Sequence, residues 1–146
     1  MVQTVAMNNA YASAALRMRA HAESVFADPR AGTADHLFGL AAECALKAIL
    51  HGRGVIPAPP AFPSDKATRK SFSTHIDRLW GEYAAWAAGE SAQLQLNPTS
   101  SFGSWRAEDR YQHDNFFTLP RVAGHRTGAQ TTAALLEQAI IDGVVE

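Results

Sequence analysis

The sequence of 146 residues lacks most features that would point to a specialised class of protein. It contains one cysteine, which excludes an internal disulfide and a cysteine-rich zinc site and is typical of a reducing compartment. Its 13 basic and 14 acidic side chains leave a net charge of −1, so the whole molecule does not attract polyanions by bulk charge. Any nucleic-acid contact must therefore come from a local patch or from an oligomer that gathers such patches.

Long hydrophobic runs are also missing. No segment has 18 uninterrupted apolar residues, and the first residues lack the basic and apolar regions of a signal peptide, so we expect no membrane association. A glycine-rich phosphate loop and a Glu-x-x-His pair are absent as well, which argues against nucleotide hydrolysis and against a di-iron bundle site. We expect a cytoplasmic protein that needs no metal or other cofactor.

What the sequence does contain is a series of helical patterns. Good helix formers with apolar residues at helical spacing predict helices at about 3–27, 34–52, 73–89 and 120–144, with Thr33 as a candidate N-cap. No alternating strand pattern is found, and the length suits one domain over residues 1–146. The prediction is an all-α, up-down bundle of four to five helices.

A proline-rich connector, VIPAPPAFP, separates the second and third predicted helices. Basic residues follow it and form a patch that can hold a phosphate backbone or can simply be a solvated surface: Lys66, Arg69, Lys70, His75 and Arg78.

The second helix carries the segment HLFGLAAECALKAIL, which is almost wholly apolar. Its ionisable residues His36, Glu43 and Lys47, followed by His51, fall within a stripe roughly 80° wide on a helical wheel. The small side chains elsewhere on this helix allow close packing, so we expect burial on most sides. The stripe is either a solvated edge or the lining of a groove at a subunit interface.

This segment resembles the second helix of HEPN-domain proteins (higher eukaryotes and prokaryotes nucleotide-binding). The downstream pattern W-x-x-E-x-R-Y, formed by Trp105, Glu108, Arg110 and Tyr111, is similar to a feature of some branches of that family. The resemblance implies a helical bundle that is usually a homodimer. It also implies RNA-linked roles, often as a metal-independent endoribonuclease in toxin–antitoxin or phage-defence systems, and in some members an inert assembly module.

Active HEPN proteins carry an arginine, then four to six residues, then a histidine. Arg106 and His113 match that spacing, and the resemblance implies that they are catalytic. A histidine can move the proton of the RNA 2′-hydroxyl, and an arginine can stabilise the charge that builds on the phosphate. Arg110 and Tyr111, with Lys47, would contact RNA phosphates and bases. The segment Arg121–His125 is too short to fit the motif.

Other interpretations stay open at this stage. Arg106 and Arg110 can instead form a structural ion network with nearby acidic residues: Glu108, Asp109 and Asp114. The chain also has Ala107 where the family usually has a polar residue, which favours a catalytically inert HEPN-like module that binds a partner or an antidote protein. A third hypothesis is an unrelated helical bundle whose polar stripe is plain surface.

Overall fold

The computed structural model describes residues 8–27, 31–59 and 72–146. These ranges contain no strand and four α-helices: α1 (Ala10–Val25), α2 (Gly32–Gly52), α3 (Ile76–Ala87) and α4 (Leu119–Ile141). Three short 3-10 turns lie between α3 and α4, at Ala92–Leu94, Ala107–Tyr111 and Asp114–Phe116. The all-α prediction is confirmed for these parts of the chain.

The helix ends follow local capping chemistry with one correction. The Asn9 side chain accepts a hydrogen bond from the backbone N–H of Ala12 at 3.0 Å and so caps α1. The prediction that Thr33 caps α2 is wrong, because α2 already begins at Gly32 and its N-cap is Ala31, which offers no side-chain acceptor. The first N–H groups of α2 therefore lack a side-chain partner of this kind.

Helix α2 is the centre of the bundle and is packed by α1, α3 and α4. This explains its apolar composition, because its buried residues come from several faces rather than from one stripe. They include Ala34, Phe38, Ala42, Ala45, Leu46, Ala48, Ile49 and Leu50. Burial on most sides of this helix, as the sequence predicts, is confirmed.

Contacts between helix ends fix their directions. Asn9 bonds Ala48 near the end of α2 through its side chain and Glu146 through its backbone N–H, so α1 runs antiparallel to α2 and α4. Helix α3 starts beside the middle of α2, where His75 meets Glu43, and ends near an Arg53–Glu90 ion pair beyond the end of α2. Among the described helices, α3 therefore runs the same way as α2 and α4, so the predicted up-down alternation does not hold between α3 and α4.

The irregular segment 99–117 is held against the bundle by two buried aromatic rings. A Cβ on Gly39 of α2 would lie 2.0 Å from the Trp105 ring, and one on Gly128 of α4 would lie 2.5 Å from the Phe102 ring. Each ring is therefore in contact with the backbone of a helix at a position where only glycine leaves space. This packing fixes residues 102–105 between α2 and α4, at the end of the bundle where both helices begin.

In the described parts of the chain, no helix combines the length and the apolar character needed to cross a membrane.

Candidate functional site: a pocket beside His36, Trp105 and Arg110

Trp105 is the structural base of the site. Its side chain is fully buried, and its indole N–H donates a 3.0 Å hydrogen bond to the backbone carbonyl of Asp35. The His36 ring stacks on the indole at a centroid distance of 5.9 Å, and the His75 ring meets it edge-on at 6.3 Å. Two histidines are thus held beside one rigid indole.

His36 faces a pocket of about 220 Å³ at the N-terminal end of α2. The pocket is lined by Gly32, Thr33, His36, Arg110, Gln112, Asp114 and Phe117. The helix N-terminus and the Arg110 guanidinium favour an anion here, because both present positive charge and N–H donors. Asp114 also lines the pocket, and its carboxylate works against bound negative charge.

The surroundings of His36 favour the neutral form of its imidazole. Burial lowers its pKa from the usual value, and the positive charge of Arg110 lowers the pKa further. Its Nδ1 atom is buried and has no hydrogen-bond partner among the described residues, and the residue lines the pocket. A neutral imidazole beside a bound hydroxyl group can accept the proton of that group.

Arg110 and Tyr111 form a pre-arranged pair next to the pocket. The guanidinium donates to the Ala107 carbonyl at 2.8 Å and to the Tyr111 hydroxyl at 2.9 Å, and it lies 4.5 Å from the centre of the Tyr111 ring. The Tyr111 side chain is still 76% exposed. An exposed ring fixed beside a cation is suited to stack on a nucleobase while the cation meets the neighbouring phosphate.

Two residues of the polar stripe of α2, Glu43 and Lys47, form an ion pair. Glu43 contacts the Lys47 ammonium at 3.1 Å and the His75 ring at 2.9 Å, which joins α2 to the start of α3. Lys47 is only 7% exposed, so little of its charge faces solvent. Glu43 of the stripe therefore helps to hold His75 next to Trp105.

Arg106 and His113 lie on the same irregular segment and are both exposed. Arg106 precedes the 3-10 turn Ala107–Tyr111, and His113 precedes the turn Asp114–Phe116. Neither residue lines the His36 pocket. Of the acidic residues expected to pair with Arg106 and Arg110, Asp109 instead contacts the Arg121 guanidinium at 3.3 Å and accepts the backbone N–H of Arg106.

Sequence reasoning missed a buried polar group between α2 and α4. His125 is 2% exposed and Asp35 is fully buried, and the His125 Nδ1 atom lies 2.5 Å from an Asp35 carboxylate oxygen. The sequence pattern that could have revealed this pair is the position of His125, which lies at helical spacing between Val122 and Ala129 on the buried face of α4.

Within the parts of the chain that the structure describes, no three histidine, cysteine or acidic side chains lie close enough to hold a metal ion. Three residues of the predicted basic patch, Lys66, Arg69 and Lys70, lie outside the described residues. No protein-family model, curated protein or solved structure matches this chain.

Proposed function

We propose that this protein binds single-stranded RNA at the His36 pocket and cleaves it without a metal ion. The observation that supports the proposal is the meeting of His36 and Arg110 in one pocket at the start of α2. These two side chains supply the minimum that RNA self-cleavage requires, namely a proton acceptor and a fixed cation for the phosphate. Tyr111 keeps the base-contacting role that the resemblance implies, whereas Arg110 and His36 take the catalytic roles that the resemblance implies for Arg106 and His113.

The proposed step is an internal attack of the ribose. The 2′-oxygen forms a bond to the adjacent phosphorus while its proton passes to Nε2 of His36. The bond from phosphorus to the 5′-oxygen of the next nucleotide breaks, and that oxygen takes a proton from solvent water. Arg110 and the N–H groups that begin α2 stabilise the charge on the phosphorane. The products are a 2′,3′-cyclic phosphate and a 5′-hydroxyl end.

We further propose that the protein acts as a homodimer, as the HEPN resemblance implies. A near-neutral chain gains local positive charge when two such pockets are brought to one cleft. Light scattering of the purified protein measures its mass directly, and a monomer at micromolar concentration would remove this part of the proposal.

The test uses a fluorescent, mixed-sequence single-stranded RNA with a chelator present. Cleavage is followed on gels and binding by fluorescence anisotropy, for the wild type, His36→Asn and Arg110→Gln. Arg17→Gln is the matched control, since it removes the same charge from an exposed position on α1. We expect cleavage to fall at least about 100-fold in the two pocket variants and to stay unchanged in the control.

Two further variants, Arg106→Ala and His113→Ala, separate the pocket from the site that the sequence motif implies. If only these two abolish cleavage, the active residues are those of the motif and His36 has no catalytic role. If the wild type binds RNA without cleaving it, the inert binding module replaces the enzyme. If it neither binds nor cleaves, the RNA proposal is wrong.

A further inference from the structure

A second group of side chains near Trp105 has the connectivity of a nucleophilic serine site. The Ser104 hydroxyl lies 3.3 Å from Nε2 of His125, and Nδ1 of His125 lies 2.5 Å from the Asp35 carboxylate. The imidazole therefore has one nitrogen on a hydroxyl group and the other on a carboxylate. In this order a carboxylate orients an imidazole, which can then take the proton of a serine.

The three groups come from separate elements and are firmly held. Asp35 lies in the first turn of α2, His125 lies in the second turn of α4, and Ser104 lies in the connecting segment. The Phe102 ring stacks on the His125 ring at 5.4 Å with an interplanar angle of 13°. Because Phe102 itself packs on Gly128, the imidazole has little freedom to rotate. Pre-organisation of this kind is what catalysis requires.

The Ser104 side of this group is exposed to solvent, and the Asp35 side is buried. Ser104 is exposed, and the adjacent Gly103 has no other atoms within 4 Å of the position that a Cβ would take. Asp35 is fully buried, so water does not compete for its charge. A small molecule can therefore reach the serine oxygen while the base behind it stays shielded.

A cation is fixed beside the serine. The Arg121 guanidinium donates to the backbone carbonyl of Ser104 at 2.5 Å and contacts Asp109 at 3.3 Å. The Nε atom of Arg121 is buried and has no partner among the described residues. The guanidinium is held at the Ser104 backbone, and it is the cation that we assign to stabilise negative charge on a substrate bound to Ser104.

We propose that Ser104, His125 and Asp35 form an esterase-type site for small carboxylic esters, independent of the RNA proposal. The Ser104 oxygen bonds to the ester carbonyl carbon, and its proton moves to Nε2 of His125. The bond from that carbon to the alcohol oxygen then breaks, and His125 returns the proton to the leaving alcohol. Water then adds to the acyl carbon and gives a proton to Nε2 of His125. The bond from that carbon to the Ser104 oxygen breaks, and His125 returns the proton to that oxygen, which releases the acid.

The experiment is acetylation by p-nitrophenyl acetate. Release of p-nitrophenolate is followed by absorbance, and the acetylated residue is located by peptide mass spectrometry after rapid quenching. Ser13, which is exposed on α1, is the internal reference in the same molecule. We expect Ser104 to be acetylated at least about tenfold faster than Ser13 in the folded protein, and this preference to vanish in denaturant.

Variants then separate catalysis from simple exposure. Ser104→Ala should abolish the fast release of p-nitrophenolate, and Ser13→Ala should leave it unchanged. Asp35→Asn keeps the size of the side chain but should slow acetylation of Ser104 roughly 100-fold, because the imidazole is no longer oriented and stabilised as a base. Circular dichroism confirms that each variant is folded. Equal acetylation of Ser104 and Ser13 in the folded wild type would overturn the proposal, whatever the variants do.

Discussion

Replacement of Gly39 by alanine tests the packing on which the His36 pocket depends. In an exposed helix interior, Gly→Ala stabilises a protein by up to about 1 kcal/mol, because alanine has the higher helix propensity. At position 39 the added Cβ would lie 2.0 Å from one carbon of the Trp105 ring and 2.4 Å from another. Carbon atoms in ordinary contact are about 3.5–4.0 Å apart, so the indole would have to shift by roughly 1.5–2 Å.

The shift is costly because Trp105 is fixed on several sides. The indole is fully buried, and its N–H bond to the Asp35 carbonyl would stretch or break, which costs about 1 kcal/mol. Forcing extra atoms into a packed core costs a further 1–3 kcal/mol or so. These costs exceed the gain in helix propensity, so we expect Gly39→Ala to lose about 2–4 kcal/mol of unfolding free energy.

The matched control is Gly81→Ala in α3. Gly81 also lies inside a helix, but no other atoms lie within 4 Å of the position that its Cβ would take. This variant should therefore gain about 0.5–1 kcal/mol. Urea unfolding followed by circular dichroism gives both values on one scale. If Gly39→Ala is as stable as the wild type, Trp105 does not lie on α2 as described, and the pocket built on it loses its basis.

Two other predictions concern charged groups near Trp105. Because the folded state lowers the pKa of His36, the unfolded state binds the proton more readily, and this residue makes the unfolding free energy fall as pH drops below about 6.5. His36→Gln should remove that part of the pH dependence in urea unfolding, and an unchanged pH dependence would contradict the prediction. Glu43→Gln should lower the unfolding free energy by about 1–3 kcal/mol in the same assay, because it removes the carboxylate that contacts the poorly exposed Lys47 and the ring of His75. An unchanged unfolding free energy would mean that the Glu43–Lys47 pair contributes little to stability.

Local patterns were enough to predict the helical part of the molecule. The apolar character of α2 predicted burial on most sides, and the spacing of Glu43 and Lys47 placed them on one face, where they form an ion pair. Each of these features depends on residues within a few turns of one helix. Helical spacing alone determines such neighbours, so no knowledge of the tertiary fold was needed.

The site depends on contacts between distant residues, which no local pattern encodes. In the sequence, Gly39 is indistinguishable from the other small residues of α2. Its importance comes from contact with Trp105, which lies 66 positions later in the chain. His75 enters the site only through its contacts with Glu43 and Trp105. The segment 99–117 has no helical or strand period, so its path could not be predicted, and the Arg106–His113 spacing could not show which side chains reach a pocket.

The positions of buried polar atoms that lack a hydrogen-bond partner indicate which end of the bundle carries function. Among the described residues, the buried polar side-chain atoms without a partner are Arg19 Nε, Asp35 Oδ2, His36 Nδ1 and Arg121 Nε. The last three belong to residues that surround Trp105 and Ser104. Each such atom costs about 1–3 kcal/mol, and apolar replacements at these positions would avoid that cost. A bundle shaped by stability alone would not concentrate these costs where α2 and α4 begin. Because functional sites keep polar groups that stability disfavours, this end is where both proposed activities should be sought first.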